Sequence, residues 1–136
     1  MPMIDVYIPE SLLNADAVED LGTELTFAVL RAEGHTEEAI APTFTTNTAA
    51  FVHRLPVVTT AAARRANAVR VQIITPPGSL NREGQRQITR EATEIIGALA
   101  PGATVWVILT EAAEGGWGIG GTAFGKEEFA ALAGGR

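Results

Sequence analysis

The sequence predicts an α/β (α+β) domain in which tandem β-α-β units form a four-stranded mixed sheet with two helices on one face. Three observations carry this. Runs of β-branched residues each precede a segment with apolar residues at helical spacing. Each helical segment has its own cap and stop residues. The strand-turn-helix pattern also recurs at a constant offset of 67 positions, which maps Pro9 to Pro76, Leu13 to Leu80, Asn14 to Asn81, Glu24 to Glu91 and Thr26 to Thr93.

Met3 to Ile8 reads as the first strand, closed by Pro9. Asn14 supplies an N-cap for a helix running to about Glu33, with Val18, Leu21, Leu25, Ala28 and Val29 on its buried face and Gly34 at its C-cap. Gly34 to Pro42 reads as a polar, irregular connection. A second strand is expected from Asn47 to Leu55, then a small-residue linker from Thr59 to Asn67. Val69 to Thr75 is the third strand. Asn81 caps the second helix, which buries Ile88, Ala92, Ile95, Ile96 and Leu99 and stops at Pro101-Gly102. Thr104 to Thr110 is a fourth strand, apolar enough to be central in the sheet. A glycine-rich run, Gly115 to Gly121, and a short helix from Lys126 to Leu132 complete the chain.

The whole of 1–136 is expected to form one domain, with pseudo-repeats 2–55 and 69–121 and a tail 122–136. Each crossover should be right-handed, making its own strands parallel. A pseudo-twofold axis between the units would set their first strands side by side and antiparallel. Pro2 then lies near the end of the third strand and the entry to the second helix. The sheet face without helices needs cover, and oligomerisation supplies it.

Composition narrows the function. At 46% hydrophobic and 19% charged, the chain is too apolar for disorder. A net charge of −6 gives no electrostatic reason for nucleic-acid binding. The absence of cysteine excludes disulfides, thiolate catalysis and zinc-thiolate sites. No signal peptide or membrane span is recognisable, so a cytoplasmic location with no membrane partner is the expectation. His35 and His53 lack ligand spacing, so no metal is expected. His35 reads as a loop residue and His53 as a strand-end residue. Gly118-Ile119-Gly120-Gly121 is no phosphate loop, because it follows a last strand and no Lys-Ser/Thr comes after it.

Chemistry is expected first at Pro2. Removal of Met1 turns its amide nitrogen into a secondary amine, able to move a proton or attack a carbonyl. Arg82 follows the cap of the second helix, where backbone N–H groups already favour anions, and is a candidate to hold a carboxylate. Trp117, set among glycines, is a candidate to cap an apolar pocket. Arg54, at the end of the second strand, is a candidate to reach the pocket of an adjacent subunit.

Pro2 opening a strand, the tandem units, and the segment from Val105-Trp106-Val107 through Glu111 to Gly116-Trp117-Gly118 together resemble the tautomerase superfamily. The chain is similar to its fused two-unit branch, which includes malonate semialdehyde decarboxylase, cis-3-chloroacrylic acid dehalogenase and macrophage migration inhibitory factor. The resemblance implies a homotrimer, no cofactor, and a tautomerase or isomerase acting on small 2-keto or enol carboxylates. In that reading Pro2 is the acid/base, Arg82 binds the carboxylate and Trp117 shields the pocket. Dehalogenation of an unsaturated haloacid or decarboxylation of a semialdehyde would use the same proline. Those readings are weakened because Val29, Gln85 and Ile108 stand where the dehalogenases carry an assisting histidine, second arginine and tyrosine. The decarboxylase's paired arginines have no counterpart in Thr75 to Asn81, and its acidic partner is sought at Glu37 or Glu38. A non-enzymatic trimeric binding protein is the reading from another class.

Overall fold

The computed structural model describes residues 1–40 and 42–134. Strand β1 (Met3–Pro9) leads through a 3-10 turn at Glu10–Leu12 into helix α1 (Ala15–Ala32). Asn14 caps α1 by accepting from the Asp16 N–H at 3.1 Å. Gly34, at φ 97°, ends it in a Schellman motif: the Gly34 N–H donates to the Arg31 carbonyl and the His35 N–H to the Leu30 carbonyl. The connection that reads as irregular contains a second 3-10 turn (Glu37–Ala39), and a short helix α2 (Pro42–Thr46), not expected from the sequence, begins at its end. Strand β2 (Ala49–Leu55) closes the first unit.

The second unit repeats the plan with β3 (Ala68–Thr75), α3 (Arg82–Leu99) and β4 (Thr104–Glu111). The Asn81 side chain caps α3 by accepting from the Gly84 N–H at 2.8 Å. The tail adds a hairpin of β5 (Trp117–Ile119) and β6 (Thr122–Phe124), then α4 (Lys126–Gly134). The hairpin was not foreseen, although Gly120 and Gly121, both at positive φ, are the pair that a tight two-residue turn demands.

The main sheet has the order β2-β1-β3-β4. Its outer pairs are parallel, and β1 and β3 are antiparallel, with Met3 opposite Ile74 and Tyr7 opposite Arg70. Expected as a central strand, β4 is instead an edge strand. Its apolar character serves two faces rather than two neighbours: Val105, Val107 and Leu109 turn to the helices, while Trp106 and Ile108 are exposed on the opposite face.

α1 and α3 pack on each other and on the same sheet face. Ile4, Val6, Val71 and Ile73 meet Leu25, Val29, Ile88 and Ile96 in one buried cluster. Burying each such side chain contributes roughly 1.5–3 kcal/mol. The helices approach closely at Gly84, where an added Cβ would lie 2.4 Å from the Ala32 carbonyl oxygen. The end of α1 is thereby pressed onto the beginning of α3.

The face without helices carries the exposed Phe51, Trp106 and Ile108. His53, which reads as a plain strand-end residue, has partners there. Its Nε2 lies 2.7 Å from Asp5 Oδ1 and its ring stacks on Tyr7 at 4.3 Å. The Arg70 guanidinium covers that tyrosine ring at 4.4 Å. No helix among the described residues is long and apolar enough to cross a membrane.

Candidate active site

Because β1 and β3 are antiparallel, the start of β1 lies beside the end of β3 and the turn into α3. A depression of about 300 Å³ opens at this corner. Met1 lines it, with its side chain 3% exposed, and Pro2 behind it is fully buried. The end of α1 supplies Glu33 and His35, and α2 supplies Phe44. Pro76, Pro77 and Ser79 come from the turn after β3, while Lys126 and Phe129 come from α4.

Local hydrogen bonds fix each wall. The Glu111 carboxylate accepts from the Gly78 N–H, and Ser79 Oγ donates to the Pro76 carbonyl at 2.8 Å, so the Pro-Pro-Gly turn is held from both sides. At the start of α4, Glu128 reaches back to accept from the Gly125 N–H at 2.8 Å. Glu114 accepts from the Lys126 N–H at 2.7 Å. Met1, Leu30, Phe44 and Trp117 share a buried cluster against which Ile74, Phe124 and Phe129 pack. This apolar floor makes charge on the groups above it costly.

Those groups are an amine and a carboxyl. Glu33 Oε2 lies 3.9 Å from the Met1 nitrogen and 3.8 Å from His35 Nε2. Glu33 Oε1 is buried and accepts no hydrogen bond among the described residues. Burial pushes the Glu33 carboxyl up to about 7, an effect the neighbouring amine charge only partly opposes. Burial also holds the amine below the ordinary range of an α-amino group, against the pull of Glu33. Burial thus shifts the two groups in opposite directions, each toward the other, and perturbed titratable groups in a cleft mark a functional-site candidate.

The structure brings together some of the residues singled out by sequence and separates others. Pro2 and Trp117 belong to this corner, with Trp117 6% exposed and edge-on to Phe129 at 6.4 Å. Arg82 does not line the depression. Its guanidinium donates to Gln85 Oε1 at 3.3 Å and faces a larger depression of about 790 Å³ along α3 and β4. That larger space is an open helix flank lined by Arg82, Arg86 and Arg90, whereas the buried ionisable pair sits in the smaller one. Arg54 is exposed on β2, opposite Ile8. Among the described residues no cluster of three or more His, Asp or Glu is placed to hold a metal.

Glu33, Phe44 and Lys126 were missed as site residues. For Glu33 the sequence carried one signal: an acid at a helix C-terminus opposes the helix dipole, so something other than helix stability keeps it there. Phe44 and Lys126 arrive through α2 and the tail, and no local pattern announces where those segments dock.

No protein-family profile and no curated protein matches this sequence. Solved structures do. Pt0534, solved after inactivation by 2-oxo-3-pentynoate, matches with a TM-score of 0.74 at 15% identity over 89% of this chain and 95% of its own. A fused 4-OT solved as a symmetric trimer matches at 0.73 and 17% identity, covering 98% of this chain and 99% of its own. A macrophage migration inhibitory factor-like protein from Entamoeba histolytica matches at 0.71 and 12% identity, over 90% of this chain and 98% of its own. At these identities the likeness is one of fold. The matches run through nearly the whole of each chain, so this chain shares the fold of Pt0534, the fused 4-OT and the macrophage migration inhibitory factor-like protein.

Proposed function

We propose that the corner pocket is the active site of a cofactor-independent tautomerase or isomerase for small 2-keto or enol carboxylates. Met1 is removed, and the secondary amine of Pro2 carries the proton between carbon and oxygen. One observation carries this reading: the chain-terminal amine is buried over an apolar floor beside a carboxyl, and burial lowers its affinity for a proton. An amine that holds its proton less tightly than an exposed one is suited to general acid-base work. Pro2 nitrogen lies one peptide unit from the Met1 nitrogen, about 3–4 Å along the backbone, so it inherits the same corner.

The carboxylate of the substrate needs a cation. Lys126 lines the pocket and Arg82 does not, so we assign the contact to Lys126 in place of Arg82. Trp117 supports the apolar floor rather than lining the pocket, and Arg54 has no part in it within one chain. A homotrimer would cover the exposed Phe51, Trp106 and Ile108, as a fused 4-OT of the same fold forms a trimer. The test is ketonisation of a simple enol acid by processed protein and by Pro2→Ala. The reading expects the variant to lose at least ~100-fold in rate. Equal rates would remove Pro2 from the chemistry.

A further inference from the structure

The reading above has Pro2 alone carry the proton, and a second group at the oxygen would let loss of one proton and gain of the other occur together. Four titratable groups line the pocket: the chain-terminal amine, Glu33, His35 and Lys126. Beside the buried amine, Glu33 is the group held out of water, with its side chain 5% exposed and one carboxyl oxygen buried without a hydrogen-bond donor among the described residues. An unpartnered buried oxygen costs about 1–3 kcal/mol. Resting on the reading of Pro2 as the pocket's amine, we propose that the Glu33 carboxyl is the second acid/base group, serving the substrate oxygen while Pro2 serves the carbon.

The step balances. In ketonisation the enol O–H gives its proton to the Glu33 carboxylate as the carbonyl forms, and the C=C electron pair takes a proton from the Pro2 ammonium. Glu33 is left protonated and Pro2 neutral. The cycle closes when the carboxyl returns its proton to the adjacent amine. Glu33 Oε2 lies 3.9 Å from the Met1 nitrogen, which is one peptide unit from that of Pro2, so the carboxyl and the Pro2 amine border the same corner. Burial raises the carboxyl and lowers an amine at this corner, which narrows the gap that the return crosses. His35 Nε2 lies 3.8 Å from the same carboxylate oxygen at the rim, and Lys126 serves the substrate carboxylate. Gly84 fixes the geometry by letting α3 close on the Ala32 carbonyl, one residue before Glu33.

Steady-state rates against pH for processed wild type, Glu33→Gln, Glu33→Asp and Pro2→Ala test this, together with a carbon-13 titration of the glutamate carboxyls. Glu33→Gln should lower kcat about 100-fold with KM changed less than about threefold, and lose the inflection near neutrality. Glu33→Asp should recover part of the rate and keep the inflection. A Glu33→Gln enzyme with wild-type kcat and pH profile, beside an inactive Pro2→Ala, would overturn the role of Glu33 while leaving that of Pro2. A Pro2→Ala enzyme as fast as wild type, or a wild type without keto-enol activity, removes the Pro2 reading and this mechanism with it. The carboxyl titration is independent of turnover. The resonance that Glu33→Gln removes should titrate near neutrality and move in Pro2→Ala, and one titrating in the ordinary carboxylate range overturns the proposal whatever the rates.

Discussion

Glu33 should cost the fold stability at neutral pH, and Glu33→Gln should recover it. The carboxyl is raised from 4.5 to about 7, chiefly because its charge is buried. Below pH 4.5 the group is protonated in both folded and unfolded chains and carries no penalty. Between 4.5 and about 7 the unfolded chain releases its proton while the folded chain keeps it, so stability falls as pH rises through that window. Above it the full penalty is present. At ~1.4 kcal/mol per pH unit the gap corresponds to about 3 kcal/mol. The buried amine titrates in the opposite sense, its cost appearing at low pH, and loses the opposing pull of the Glu33 charge in the variant, which gives back part of the gain. Glu33→Gln should therefore be more stable than wild type by about 2–3 kcal/mol at pH 8 and by less than about 1 kcal/mol at pH 5. Urea denaturation of both proteins at one concentration, held fixed because assembly adds to apparent stability, reads this as a midpoint shift of about 1–2 M at pH 8. A variant no more stable than wild type at pH 8, or equally stabilised at both pH values, would refute the burial argument.

Three further outcomes are expected. Lys126→Ala should raise KM for a keto acid about 10–100-fold, the value of one charge-assisted contact, while Arg82→Ala should leave it within about twofold in the same assay. Gly84→Ala should lose about 1–3 kcal/mol in thermal or urea unfolding, because the added methyl meets the Ala32 carbonyl oxygen at 2.4 Å and outweighs any gain in helix propensity. Ile108→Glu places a charge on the open sheet face and should shift a sedimentation profile from trimer toward monomer, whereas a trimer unchanged by it would place the interface elsewhere.

The two units were legible because each carries its own punctuation. Asn14 and Asn81 cap their helices by side-chain hydrogen bonds, and Gly34 adopts the left-handed turn its position implies. The antiparallel meeting of β1 and β3 followed from the repeat alone. The place of β4 did not, because an apolar run reads the same whether a strand is central or lies at an edge with both faces apolar. The site was half legible. Pro2 lies at the start of β1, whose position the repeat dictates, whereas Phe44, Trp117 and Lys126 lie on segments outside the repeated units, and their docking is set by tertiary packing. Arg82 shows the converse. The helix entry is where the pattern put it, but the side chain turns to Gln85 and the flank of α3, a choice of rotamer that sequence spacing does not decide.

The central claim is that Pro2 supplies the neutral, reactive amine of this pocket, and covalent capture tests it most directly. 2-Oxo-3-pentynoate, an alkynyl keto acid, is an electrophile to which unprotonated amines add. Processed protein treated with it near neutral pH should carry a single adduct, mapped by peptide mass spectrometry to Pro2. No adduct, or one mapped to Lys126, the other amine lining the pocket, would contradict the account.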